Sequence, residues 1–143
     1  ELNFDKPESN LSLSEAMAKF DDIFRDSVRI RLRADVEVAA YLSGGLDSST
    51  TVAYINEIEP KVLSTFSIGF EEASFDESQF QDEAASYFKT SHSSTVCTAS
   101  EIADFFPDVV WHSETPLMRT APTPMLLLSR LVREKGIKVV MTG

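Results

Sequence analysis

Four short apolar runs, near residues 36–42, 62–69, 93–97 and 137–141, alternate with stretches of helical spacing, and this alternation constrains the fold most. Val36, Val38 and Ala40 share one face of the first strand, and Val62, Leu63, Phe66 and Ile68 supply the apolar positions of the second. Ahead of them Leu13, Met17, Phe20, Phe24 and Val28 recur every three or four residues, which predicts a helix capped by Ser12 or Ser14. Further helices are predicted over 48–58, over 75–88 with Phe80, Ala84, Tyr87 and Phe88 on one face and Asp76 as cap, from Ser100 towards Trp111, and over 125–135 with Gly136 as stop. Pro107 predicts a kink or break in the fourth helix, and the prolines at 116, 122 and 124 predict an ordered loop over 113–124. Residues 1–11 read as a linker. The alternation predicts an α/β domain of three layers, α/β/α, with a parallel sheet, right-handed crossovers and the first strand central. In such sheets ligands sit at the carboxyl ends of the strands.

Charge and cysteine usage narrow the function. The chain of 143 residues carries 13 basic and 23 acidic residues, a net charge of −10, and so repels phosphate backbones; nucleic acid is not an expected partner. Arg25, Arg29, Arg31 and Arg33 read as a solvated face. No apolar run approaches a membrane span, and the polar, acidic start has no signal-peptide pattern. Residue 1 is Glu, which suggests that the natural N-terminus lies further upstream. The single cysteine, Cys97, fits a reducing, cytoplasmic setting and a packing role.

The turn after the first strand, Ser43-Gly44-Gly45-Leu46-Asp47-Ser48-Ser49, carries the chemistry. Glycines let backbone N–H groups approach a phosphate, the following helix aims its positive end at the same anion, and Ser43, Ser48 and Ser49 offer hydroxyl donors. A carboxylate beside a phosphate is repulsive unless a cation lies between them, so Asp47 implies Mg²⁺. No lysine follows the glycines, and G-x-G-x-x-G is absent, which excludes the Walker A and dinucleotide fingerprints. The loop by itself suits an ordinary strand-to-helix turn equally well.

The wider sequence resembles a known family. Residues 43–49 look like the pyrophosphate-binding loop of the ATP pyrophosphatase (PP-loop) group, in the form found in glutamine-hydrolysing asparagine synthetases. Phe66-Ser67-Ile68-Gly69-Phe70, Phe75-Asp76-Glu77, Thr90-Ser91-His92, the run from Glu114 to Met125, Leu127-Leu128-Ser129-Arg130 and the run from Ile137 to Gly143 recur there at similar spacing, so the resemblance covers roughly residues 12–143. Glu37, Ala39 and Lys89 depart from it, standing where the family often has Pro, Gly and Gly.

The resemblance implies an adenine nucleotide alpha hydrolase-like (Rossmann-like) fold, cut short at the C-terminus. It implies that ATP and Mg²⁺ convert aspartate to an aspartyl-adenylate, which ammonia from an N-terminal glutaminase domain then resolves to asparagine. On it, Ser43, Gly44, Gly45, Asp47 and Ser48 hold the pyrophosphate portion, Asp47 ligates the metal, and backbone near Tyr41, Leu42, Ile68 and Gly143 meets the adenosine. Arg119 lies beside the amino-acid substrate, against the simpler reading of a surface ion pair. Asp76, Glu77 and His92 are read as structural, and Trp111 with the phenylalanines as core. The family's acidic stretch after the final Thr-Gly is missing, which implies an inactive piece whose uncovered apolar surface favours a homo-oligomer. The alternatives are a synthetase of the same fold adenylating another carboxylate, as β-lactam synthetases do, or a nucleotide-binding module without catalysis.

Overall fold

The computed structural model describes residues 11–143, so residues 1–10 of the expected linker lie outside the described residues. The elements run α1 (Leu13–Arg31), β1 (Val38–Tyr41), α2 (Leu46–Ile58), β2 (Ser64–Phe70), α3 (Ser78–Phe88), β3 (Ser91–Cys97), α4 (Ala99–Ser113), α5 (Pro122–Glu134) and β4 (Val139–Met141). The strands form one parallel sheet in the order β3-β2-β1-β4. β1 is thus an inner strand, with Ala40 opposite Thr65 on one side and Val38 opposite Val139 on the other.

Alternation of side chains along the strands divides the core between the two faces of the sheet. Val38, Ala40 and Leu42 pack with Val52 and Ile55 of α2, Val28 of α1 and Ala85 of α3. Ala39 and Phe66 pack on the opposite face with Leu128 and Val132 of α5 and with Ile137. The result is the three-layer arrangement that the sequence predicts.

Local chemistry sets the helix ends. Ser12 and Glu15 form a capping box at α1, with Ser12 N donating to Glu15 Oε2 at 2.8 Å. α4 starts with the same device on Thr98 and Glu101, two residues ahead of the expected Ser100. α4 runs unbroken through Pro107, where packing outweighs the lost backbone bond: Val109 is buried, and Arg130 of α5 lies 4.3 Å over the Phe105 ring. α5 begins at Pro122, three residues earlier than predicted. Its prolines occupy the first turn, where a missing N–H removes no intrahelical bond.

Three expectations change. The inner face of α3 is Gln81 and Ala85, whereas Phe80 and Tyr87 are 60% and 80% exposed. Trp111 is 80% exposed rather than core. Arg25 is not simply solvated: it binds Glu57 of α2 at 2.9 Å and Asp21 at 3.3 Å and stacks over Tyr54, whose hydroxyl donates to Asp21 at 2.6 Å. This cluster docks α1 on α2.

Candidate functional site

The loop after β1 is built by a closed set of hydrogen bonds. Gly45 N donates to Ser43 Oγ at 3.3 Å, and Ser43 Oγ lies 2.9 Å from Ser48 Oγ. Ser48 Oγ in turn donates to Gly45 O at 3.2 Å and accepts from Ser43 N at 3.2 Å. Each hydroxyl has one proton, so this circuit commits the protons of both Ser43 and Ser48 to shaping the loop. In this arrangement the Ser43 and Ser48 hydroxyls serve the loop itself, which leaves backbone amides and the Ser49 hydroxyl as the donors open to a ligand. Ser49 N closes the first helical bond onto Gly45 O at 3.1 Å.

α2 starts without a side-chain cap, because its N-cap is Gly45. The amides of Leu46, Asp47 and Ser48 therefore carry the positive end of the helix with no capping side chain over it. Two close approaches hold this end in place. Gly44, at φ +80, presses on the first turn of α3, where a Cβ would lie 2.7 Å from backbone carbon of Phe80. Gly143, just beyond β4, fits against α2 so tightly that a Cβ would lie 2.6 Å from Ser48 N. Residues far apart in sequence, the loop at Ser43 to Ser48 and Gly143, thus meet at the start of α2.

Asp47 is exposed in the first turn of α2 and makes no ion pair among the described residues. Among those residues no three His, Cys, Asp or Glu side chains converge as a ready metal cage. This donor set fits Mg²⁺ in its usual mode, one carboxylate completed by phosphate oxygens and waters.

Beside the loop, the ends of β1 and β2 border a cavity of about 210 Å³ lined by Tyr41, Leu42, Ser43, Ile68, Phe75 and Gln81 among others. Leu42 is fully buried and its N–H donates to Phe66 O at 2.9 Å, while Tyr41 reaches Ser129 of α5 at 3.4 Å. Ile68 and Phe75 also line a wider groove of about 1060 Å³ that continues to Leu117, Met118 and Arg119. Arg119 is exposed there and forms no ion pair among the described residues.

The remaining candidates sort by their partners. Asp76 accepts from Ser78 Oγ at 2.6 Å, which holds its carboxyl below the ordinary range and ties the exit of β2 to α3. Glu77 occupies the N-cap of α3 without capping it and lines both cavities. His92 lies near the opposite end of the sheet, with Nδ1 2.9 Å from Thr65 Oγ1 and Nε2 2.9 Å from Ser67 Oγ. Burial lowers its pKa, so it serves as a neutral structural link. Cys97 is buried, which raises its thiol pKa and leaves it in the packing role.

The sheet order and the glycine loop at the end of its inner strand define an adenine nucleotide alpha hydrolase-like domain. The U34-tRNA thiolase NcsA from Methanococcus maripaludis superposes with a TM-score of 0.59 over 87% of this chain and 44% of that one, at 17% identity. The NH3-dependent NAD synthetase from Campylobacter jejuni superposes at 0.53 over 93% and 57%, at 14% identity. At such identities the likeness is one of fold alone.

The asparagine synthase family model matches residues 19–143, and the chain belongs to that family. Asparagine synthetase [glutamine-hydrolyzing] 1 of Bacillus subtilis is 35% identical over 122 residues, spanning 85% of this chain and 19% of that protein. A putative asparagine synthetase [glutamine-hydrolyzing] 2 of Methanocaldococcus jannaschii is 37% identical over 119 residues, spanning 82% and 23%. Amidase chyE of Penicillium rubens is 35% identical over 132 residues, spanning 82% and 20%. The chain therefore covers about a fifth of the length of these relatives. Among the described residues no helix is long and apolar enough to cross a membrane.

Proposed function

We propose that this chain is the nucleotide-binding part of a synthetase that amidates aspartate with ATP, forming asparagine through an aspartyl-adenylate. The observation that carries the reading is the uncapped start of α2 behind Gly44 and Gly45, with Asp47 exposed beside it and Gly143 seated on Ser48. The amides of Leu46, Asp47 and Ser48 bind the β- and γ-phosphates, and the Ser43–Ser48 hydrogen bond keeps them aligned. Asp47 holds Mg²⁺, which supplies charge neutralisation on the departing pyrophosphate. The adenosine lies over backbone at Tyr41, Leu42, Ile68 and Gly143, in the cavity at the strand ends.

The aspartate side-chain carboxylate attacks the α-phosphorus, and the bond to the bridging oxygen breaks as pyrophosphate leaves. Preorganised amides stabilise that leaving charge. Ammonia then attacks the acyl carbon and AMP departs. Arg119, in the groove beyond Ile68, clamps the amino acid's α-carboxylate. Ammonia comes from a glutaminase domain of the longer protein, as the names of the relatives suggest. The protein works in the cytoplasm. The exposed apolar face of α1, with Leu13, Met17, Phe20 and Ile23, supports a homo-oligomer, which sedimentation at rising concentration measures.

Isothermal titration with ATP and Mg²⁺ tests the reading. The native chain should give a saturable heat, and Asp47→Asn should lose the Mg²⁺-dependent part while its circular dichroism stays native. No heat with the native chain, or equal heats for both proteins, would refute it. A second reading, a sister enzyme adenylating a bulkier carboxylate, is favoured by the apolar lining of the groove, which Phe70, Ile102, Phe106 and Met118 share with Arg119. Pyrophosphate release with aspartate against larger carboxylates in the protein that carries this chain separates the two.

A further inference from the structure

Among the polar side chains that line the cavity at the ends of β1 and β2, Gln81 and Glu77 take no part in the loop's hydrogen bonds, and of the two only Gln81 is buried. Gln81, on the inner face of α3, is only 3% exposed. Its Nε2 donates to the backbone carbonyl of Ile68 at 3.0 Å. That carbonyl can only accept, so it fixes which way the amide faces. Oε1 is thereby turned away from Ile68, and it is buried with no hydrogen-bond partner among the described residues. A buried amide oxygen without a donor is uncommon and calls for a partner.

Three placements connect this acceptor to a nucleotide. Gln81 lines the cavity beside Ile68, the residue whose main chain the proposed function sets under the base. Its own backbone is held against the phosphate loop, since a Cβ on Gly44 would lie 2.9 Å from Gln81 N. The other walls of the cavity are mostly apolar, including Phe66, Phe75 and Leu128, so the Gln81 amide is one of the few polar side chains along it.

We propose that Gln81 is a specificity-determining residue whose Oε1 accepts a hydrogen bond from the exocyclic amine of adenine. This inference rests on the reading of the site as an ATP site and adds how the base is chosen. An amine at that position of the ring donates to Oε1. A 6-oxo purine presents a carbonyl instead, setting two acceptors against each other in a buried place, which discriminates more strongly than a lost apolar contact.

The experiment is isothermal titration of the chain, with Mg²⁺, using ATP, ITP and 2′-deoxy-ATP on the wild type and on Gln81→Met. Methionine keeps the approximate length of the side chain and has no strong acceptor. The wild type should prefer ATP over ITP by about tenfold, in keeping with one well-placed hydrogen bond, and Q81M should bring the ratio towards one. The ratio is internal to each protein, so a partly unfolded variant does not alter it. N6,N6-dimethyl-ATP on the wild type gives a test without mutation: it has no donor on the amine and should bind about as weakly as ITP. An unchanged ATP/ITP ratio in Q81M, or full affinity for the dimethyl analogue, overturns the inference while the ATP reading stands. A change confined to the ATP/2′-deoxy-ATP ratio also overturns it, by moving the contact to the ribose. If the wild type binds no nucleotide, both the functional reading and this inference fail.

Discussion

Replacing Gly44 by Ala probes the joint between the loop and α3. Gly44 sits at φ +80, and Gly136, after α5, sits at φ +77. The left-handed backbone costs an L-residue about 1–2 kcal/mol, partly offset by about 0.4–1 kcal/mol of lost unfolded-chain entropy. Nothing lies within 4 Å of a Cβ at Gly136, so Gly136→Ala should lose only that net strain, on the order of 1 kcal/mol. At Gly44 the methyl would meet Phe80 backbone carbon and Cβ at 2.7 Å and Gln81 N at 2.9 Å, atoms that no side-chain rotation removes. Overpacking of this kind adds about 1–3 kcal/mol, which puts Gly44→Ala at about 2–4 kcal/mol in all. Urea unfolding followed by circular dichroism measures both variants, with matching m-values as the condition for comparison. Equal losses for the two would refute the reasoning, because they share the backbone strain and differ only in the contact.

Three other outcomes follow from the geometry. Arg119→Ala should raise the aspartate requirement of the protein carrying this chain by about 10- to 100-fold, the scale of a charge-assisted hydrogen bond, with a smaller change for ATP; steady-state kinetics with each substrate varied shows whether the losses are instead equal. Lys89→Gly should stabilise the fold by about 0.5–1 kcal/mol, because Lys89 closes α3 at φ 53, where the Cβ is a burden; an unchanged urea midpoint would count against this. His92 has a folded-state pKa lowered by burial, so the unfolded chain binds its proton more readily. Its contribution to stability is complete above the unfolded value, near 6.5, and is lost as pH falls through the lowered folded value. His92→Asn should flatten the stability profile in that acid window, and a slope identical to wild type would rule the group out.

The sequence exposes this fold wherever one physical signal dominates. Parallel strands and the loop at Gly44 and Gly45 are legible because alternation and glycine chemistry act locally. The inner position of β1 is legible from its loop, which marks the place where crossovers diverge. Boundaries set by competition are not legible in the same way. Thr98 and Ser100 are both good caps, and only the reciprocal bond with Glu101 decides between them. Pro122 and Pro124 read as loop residues until their place in the first turn of α5 is known. Gln81 stays hidden for a different reason: glutamine in an amphipathic helix counts as surface, whereas Phe80 beside it counts as core, and the packing reverses both. Only the rotation of α3 on the sheet, which the positions of Ala85 and Ile68 settle, brings that amide inward. Arg119 is a candidate through resemblance alone, since a lone cation in a proline-rich run has no signature of its own.

The seating of Gly143 on α2 has a kinetic meaning. Val38 pairs with Val139, so the inner strand gains its second neighbour only when almost the whole described chain has been gathered. Closing so long a loop is entropically slow and is compensated only by contacts made afterwards. The corner that would receive a phosphate is therefore among the last parts of the described residues to assemble. A ligand bound over the start of α2 and beside Gly143 would bridge the two sides of that closure. It would slow the opening of the whole sheet, and hydrogen exchange at Val139–Met141 would register its arrival as clearly as exchange at the loop itself.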